Sequence, residues 1–168
     1  MEGLLKLDNL TAVLERFAIE LEAEYKNNLK RNGRIATGQL HDTAKCEVVK
    51  GEYVVVFHLQ DYWKYVEGGR PKTMGGGDGS LRRAILDWIE VKRILPTPDK
   101  NGKLPTPQQL AYLISRKIHK EGYKGTEDLG KATDTIWERY REEIYNAIDK
   151  DFDSALINIF KLKPLTIK

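Results

Sequence analysis

The sequence predicts an α+β fold: a small, mainly antiparallel sheet packed against long N- and C-terminal helices, with two shorter helices inserted between them. Three observations predict it. Apolar residues recur every three or four positions through long stretches at both ends of the chain. A β-branched hairpin pattern occupies 44–59. Glycine- and proline-rich connections then divide the middle into two short amphipathic segments.

In chain order, Leu10, Val13, Leu14, Phe17, Leu21, Tyr25 and Leu29 hold a helical period over Asp8–Arg31, with Asp8 or Asn9 as N-cap and Asn32-Gly33 as the stop. Residues 34–43 read as a connection with a tight turn at Gly38. Strands follow at 44–50 and 53–59, joined by a two-residue turn at Gly51-Glu52. The second strand is nearly continuous in apolar character, as if covered on both faces. Met74–Gly79 is a glycine loop, and Ser80 caps a helix over 81–94 that Pro96 and Pro98 end. Thr106-Pro107-Gln108-Gln109 is a capping box with proline at the first helical position, opening a helix that Gly122 stops. Its apolar side is Leu110, Leu113, Ile114 and Ile118. Residues 123–131 read as a loop. The last helix spans 133–160, with Ile136, Trp137, Tyr140, Ile144, Ile148, Phe152, Ala155 and Ile159 in period and Pro164 closing it.

At 168 residues the chain is expected to be a single domain, with the glycine loop and helical insertion at 72–131 inside it. The longest apolar run, Val54–Phe57, is far short of a membrane span, so no membrane partner is expected. The first residues lack the pattern of a signal peptide. One cysteine, Cys46, excludes a disulfide framework and fits a reducing compartment. The net charge of +3 does not by itself demand a nucleic acid. Its distribution is uneven: residues 61–131 hold fourteen basic against nine acidic side chains, and the stretches on either side are slightly acidic.

No chemistry-bearing constellation stands out. His41, His58 and His119 lack metal-ligand spacing, so neither a metal nor a cofactor is expected. An enzyme built on His41 or His58 with Asp42 or Asp61 lacks a nucleophile, and no catalytic residue is assigned. The glycine loop lacks the Gly-Lys-Ser/Thr ending of a phosphate-binding loop. Tyr62, Trp63 and Tyr65 beside Arg70 and Lys72 suit core packing, a base-stacking platform or a subunit contact. The alternative function is thus a small nucleic-acid-binding module using 62–72. The long terminal helices carry more apolar surface than a few strands can cover, which points to further copies.

Two short motifs add a resemblance. Thr37-Gly38-Gln39-Leu40-His41-Asp42-Thr43 resembles the T-G-x-L-x-x-S signature of a family of tailed-bacteriophage neck and tail-completion proteins. Tyr62-Trp63-Lys64-Tyr65-Val66-Glu67-Gly68-Gly69 resembles that family's Y-A-x-Y-V-E-x-G-T. Order, gap, preceding helix and intervening hairpin match over Asp8–Arg70. Leu40 would pin the turn to the core. The second motif would alternate its aromatics between two faces, and Gly68 and Gly69 would permit backbone geometry closed to other residues. Thr43 replaces the usual serine, Gly69 stands where threonine is common, and the family's P-F-L-x-P-A-L segment is absent. The overall pattern resembles variants from phages of Bacteroidales gut bacteria, including the crAss-like group, where such proteins form rings in the neck. The resemblance implies a structural protein of the virion, assembled in the host cytoplasm. It would form a sixfold or twelvefold homo-oligomeric ring between the portal and the tail, in contact with portal or adjacent neck and tail proteins, near DNA passing through the channel. Trp63, Arg70, Arg82 and Arg83, with the exposed sides of the long helices, are the candidate subunit contacts.

Overall fold

The computed structural model describes residues 6–73, 79–98 and 100–162. The fold is α+β. Its elements are α1 (Asp8–Arg31), α2 (Gln39–Thr43), β1 (Lys45–Val49), β2 (Val54–His58), α3 (Trp63–Glu67), β3 (Gly69–Arg70), α4 (Ser80–Lys92), α5 (Pro107–Glu121), β4 (Tyr123–Lys124) and α6 (Asp128–Leu162). The strands form two separate antiparallel ribbons, β1 with β2 and β3 with β4. The residues pack as two compact units. One draws on α1 up to Asn28, on Ala44–His58 and on α6 from Leu129; the other draws on Leu29–Thr43 and Leu59–Asp128. The glycine stretch 74–78, the turn residue Asp99 and Pro164 lie outside the described residues.

In the first unit α1 and α6 run antiparallel in register. Asn9 meets Asp151, Arg16 meets Glu143, and Glu20 meets Arg139 and Tyr140. Phe17 packs edge-on against Tyr140 at 5.8 Å. Leu10, Val13, Phe17, Leu21 and Tyr25 are buried, as their period predicts. The cap of α1 is neither Asp8 nor Asn9. The Asp151 carboxylate, from the far end of the sequence, accepts the Asn9 amide at 3.1 Å and the Leu10 amide at 2.9 Å. First-turn amides have no partner inside their own helix, and a carboxylate answers both that need and the positive end of the dipole. Burial raises the Asp151 pKa, but these amides and the Asn9 side chain outweigh it and hold the group below the usual aspartate range.

The β1–β2 hairpin lies on α1. Cys46 donates its amide to Glu22 at 2.9 Å, and its cross-strand neighbour Phe57 packs edge-on against Tyr25 at 5.2 Å. The turn is longer than the two residues expected. Val49 pairs with Val54, which leaves Lys50–Tyr53 as the loop, with left-handed backbone at Gly51 (φ 86°) and Tyr53 (φ 56°). The Tyr53 hydroxyl accepts the Leu7 amide at 3.4 Å, which ties the loop to the start of α1. Nor is β2 covered on both faces: Val54 and His58 are exposed and Val55–Phe57 half-buried, because a lone two-stranded ribbon offers no second cover.

In the second unit α4 and α5 pair around Ile85, Ile89 and Ala111, with Leu81, Leu86, Ile94, Leu110, Ile114 and Ile118 packed about them. The capping box forms as predicted. Thr106 Oγ1 accepts the Gln109 amide, and the Gln109 side chain accepts the Thr106 amide at 2.9 Å. Ser80 is not the cap of α4 but its first residue; Gly79, at φ 80°, holds the cap position. The helix ends before the prolines, at Arg93 (φ 50°), where the Ile94 amide bonds back to Ile89. Leu113 turns outward, and Ala111 and Ser115 take the inner face instead.

Tyr123–Lys131 is not a plain loop. Tyr123 and Lys124 pair with Arg70 and Gly69, and α6 starts at Asp128, five residues before the predicted 133. Asp128 is fully buried and takes hydrogen bonds from Asn32 and Thr126. The β3–β4 crossing is crowded. A Cβ on Gly69 (φ 79°) would lie 2.2 Å from the Tyr123 carbonyl, and one on Gly125 would lie 1.9 Å from the Glu67 carbonyl. Only glycine fits at 69, so the threonine common in the resembling family has no room in this chain. Gly68 needs no such freedom, since its φ is −91°.

Candidate interaction surfaces

Thr37–Thr43 forms a turn that leads into one helical turn, not a plain connection. Gly38 sits at φ 86°, its carbonyl accepts the Asp42 amide at 2.8 Å, and Thr43 Oγ1 donates to the Gln39 carbonyl at 2.7 Å. Thr37 Oγ1 accepts the Gln39 amide at 3.3 Å, and Leu40 is buried as expected. Tyr62 closes over this turn. With Arg34–His41 it lines a notch of about 50 Å3; burial pushes its phenol pKa up, against the Leu40 amide that pulls it down. Gln60 donates to Thr43 Oγ1 at 2.9 Å. The two motifs, about twenty residues apart in sequence, are therefore neighbours in space.

The second motif does not alternate its aromatics between two faces. Trp63–Glu67 is a helix of five residues, so its side chains fan outward and no flat platform forms. Trp63 is half-buried and Tyr62 rests on the Leu40 turn. Tyr65 is exposed, with the Lys64 ammonium 5.5 Å and the Arg70 guanidinium 5.9 Å from its ring centre. The carbonyls of Val66 and Glu67 accept the amides of Thr126 and Glu127, both at 3.1 Å. Val66, Glu67 and Gly68 thus serve the backbone crossing.

Arg82 and Arg83 are both exposed on α4. The Arg82 guanidinium stands 5.7 Å from the Tyr112 ring of α5, and Arg83 has no ion pair among the described residues. Beside Arg82 a groove of about 570 Å3 runs between α5 and the segment before it. Leu104, Pro105, Leu110, Tyr112 and Leu113 line it, with Lys103, Gln109 and Thr97.

The largest departure from the sequence reading is on α6. Ile136, Tyr140, Ile144, Ala147 and Ala155 face inward, but Trp137, Ile148, Phe152 and Ile159, read as the same face, are exposed. Together with Tyr145, Leu156 and Phe160 they form a second apolar stripe beside the buried one. The register explains its C-terminal part. Asp8 of α1 falls opposite residue 152, so the last ten residues of α6 overrun the start of α1. Aromatic side chains bring about 150–250 Å2 each, so Tyr145, Phe152 and Phe160, at 57%, 56% and 75% exposure, leave on the order of 350 Å2 bare. Three aromatics alone thus match the largest patch of an ordinary monomer, about 300–600 Å2. The signal was in the sequence: α6 has more large apolar residues than one face of a helix can hold.

The three histidines each meet one polar neighbour. His41 lies 2.7 Å from Asp42, His58 3.0 Å from Glu47, and His119 bonds Thr73. Among the described residues neither His41 nor His58 is paired with Asp61. Cys46 is buried, and burial, then Glu22 and Glu47, push its thiol pKa up to about 11. Among the described residues no cluster of three His, Cys, Asp or Glu side chains is placed to hold a metal, and no helix is long and apolar enough to cross a membrane. No protein-family model, curated protein or solved structure matches the chain.

Proposed function

We propose that this chain is a virion structural protein of a tailed bacteriophage, one subunit of a homo-oligomeric ring in the head–tail connector between portal and tail. The observation that carries the reading is the bare apolar stripe of α6. A chain that keeps this much apolar surface beside a completed core is built to bury it against another molecule. The resemblance of Thr37–Thr43 and Tyr62–Gly69 to the neck-protein motifs supplies the setting, and their meeting at Leu40 and Tyr62 supports reading them as one feature. Trp63 and Arg70 lie on that same feature, and Arg82 and Arg83 are exposed, as ring contacts require. The basic stretch 61–131 faces acidic neighbours in the neck or the DNA that passes through it. The role is one of assembly, with no catalytic step. Negative-stain imaging of the purified protein and of virions labelled on this chain tests it: ring density at the neck is expected, and virions without the chain overturn it.

A second reading, a nucleic-acid-binding module at 62–72, has the Lys64–Tyr65–Arg70 cluster in its favour. It predicts that Tyr65→Ala weakens salt-sensitive binding of single-stranded DNA. No binding at low salt removes it.

A further inference from the structure

Two bare apolar faces of this chain carry opposite charge. The α6 stripe is bordered on one side by Glu142, Asp149 and Asp153, exposed and without an ion pair among the described residues. From 142 to 160 the helix holds five acidic side chains and one basic, Lys150. On the groove side stand Lys103, which lines it, Arg82, whose guanidinium lies over Tyr112, and Arg116, exposed three residues after Leu113 on α5. Residues 80–121, which build the α4–α5 pair, hold nine basic against four acidic side chains.

We infer that the α6 stripe of one copy seats in the groove beside α5 of the next, with Phe152 and its neighbours against Leu104, Tyr112 and Leu113 and the acidic border against the basic rim. The inference rests on the ring reading above and names its contact. Antiparallel pairing of stripe with stripe is disfavoured, because Glu142, Asp149 and Asp153 would then face their own copies and repel across the interface, and parallel pairing leaves the acidic border with no basic counterpart. A nucleic acid on the stripe meets the same acidic border. Stripe against groove pairs two different faces, which makes the contact head-to-tail; such a contact closes into a ring when its rotation allows. The exposed Phe152 and Leu113 are its central anchors, 56% and 53% exposed in the single chain, so changing either leaves the fold intact.

The test mixes two variants of the full chain, Phe152→Glu on the stripe and Leu113→Glu in the groove, with masses read by sedimentation velocity and native mass spectrometry. Wild type is expected to assemble beyond a dimer. Each variant alone is expected to lose self-association by at least about 30-fold, the loss of a central anchor. The mixture is expected to form a one-to-one dimer and stop there, because each partner keeps one good face. A charge exchange gives a second arm: Asp149→Lys with Asp153→Lys fails alone and regains binding when mixed with Arg82→Glu and Arg116→Glu. If Phe152→Glu keeps the wild-type mass, the contact lies elsewhere and the ring reading survives. If only the stripe variant loses mass, the stripe pairs with itself or with another surface, and the head-to-tail contact is overturned. If Phe152→Glu lowers the melting temperature instead of the mass, the stripe is covered within its own chain. A wild type that stays monomeric at every concentration overturns both this contact and the ring.

Discussion

The two long helices of this chain use their apolar residues in opposite ways. On α1 the large apolar side chains fall on one stripe and are buried, apart from half-buried Leu14 and exposed Ile19. On α6 they fall on two stripes, one packed in register against α1 and the other bare. The difference teaches that helical period marks an apolar face but does not say what covers it. A single stripe is answered inside the chain; the second stripe is the one for which a partner is proposed.

Breaking this comparison takes matched substitutions. Phe17→Ala on the covered stripe is expected to cost about 3–5 kcal/mol, the usual loss for a buried phenylalanine. Phe152→Ala on the bare stripe is expected to cost within about 0.5 kcal/mol in dilute protein, as at an ordinary surface position. Urea unfolding of both variants at low concentration measures the pair. Equal losses would mean that α6 has no free face.

The polar clasp between the helices gives a smaller effect. Asp151→Ala strips the acceptor from the Asn9 and Leu10 amides and is expected to cost about 2–3 kcal/mol. Because the Asp151 pKa is lowered on folding, its contribution is full above the ordinary aspartate value of about 3.9 and is lost as the pH falls through the folded value. The stability gap between wild type and Asp151→Asn should therefore narrow as acid is added below about pH 4. A gap that widens there contradicts the clasp. The ion pairs Arg16–Glu143 and Arg139–Glu20 beside it are half-exposed and screened by solvent, so breaking either should cost less than losing Asp151.

The smallest effect is kinetic. Cys46, buried beside α1 with a thiol pKa near 11, should react with a thiol reagent only as fast as the protein opens. A cysteine introduced by Leu156→Cys should react at once in dilute protein and slowly in concentrated protein. Concentration-independent labelling at 156 would separate the bare stripe from self-association.

Sequence carried the long elements well, for physical reasons. Seven apolar residues in period set α1 to the residue, and the local geometry of Thr106-Pro107-Gln109 set the start of α5. Elements set by distant partners were not legible. β3 and β4 exist only because Gly69 and Arg70 meet Lys124 and Tyr123, and the cap of α1 is Asp151, more than 140 residues away. Five residues are too few to show a helical period, which hid α2 and α3. The start of α6 is polar and stands on Asp128 with Asn32 and Thr126, a link no periodicity records. At the candidate surfaces the motif residues could be read singly, as Gly38 and Leu40 were. Their meeting with Tyr62 could not, nor could the exposure of Phe152 and Leu113.

On the proposed reading, this chain completes its burial only beside copies of itself. Sedimentation of the wild-type protein over a wide concentration range tests it most directly. A concentration-dependent rise that ends at one closed species of fixed copy number is the result expected. A single monomeric boundary at every concentration would contradict it.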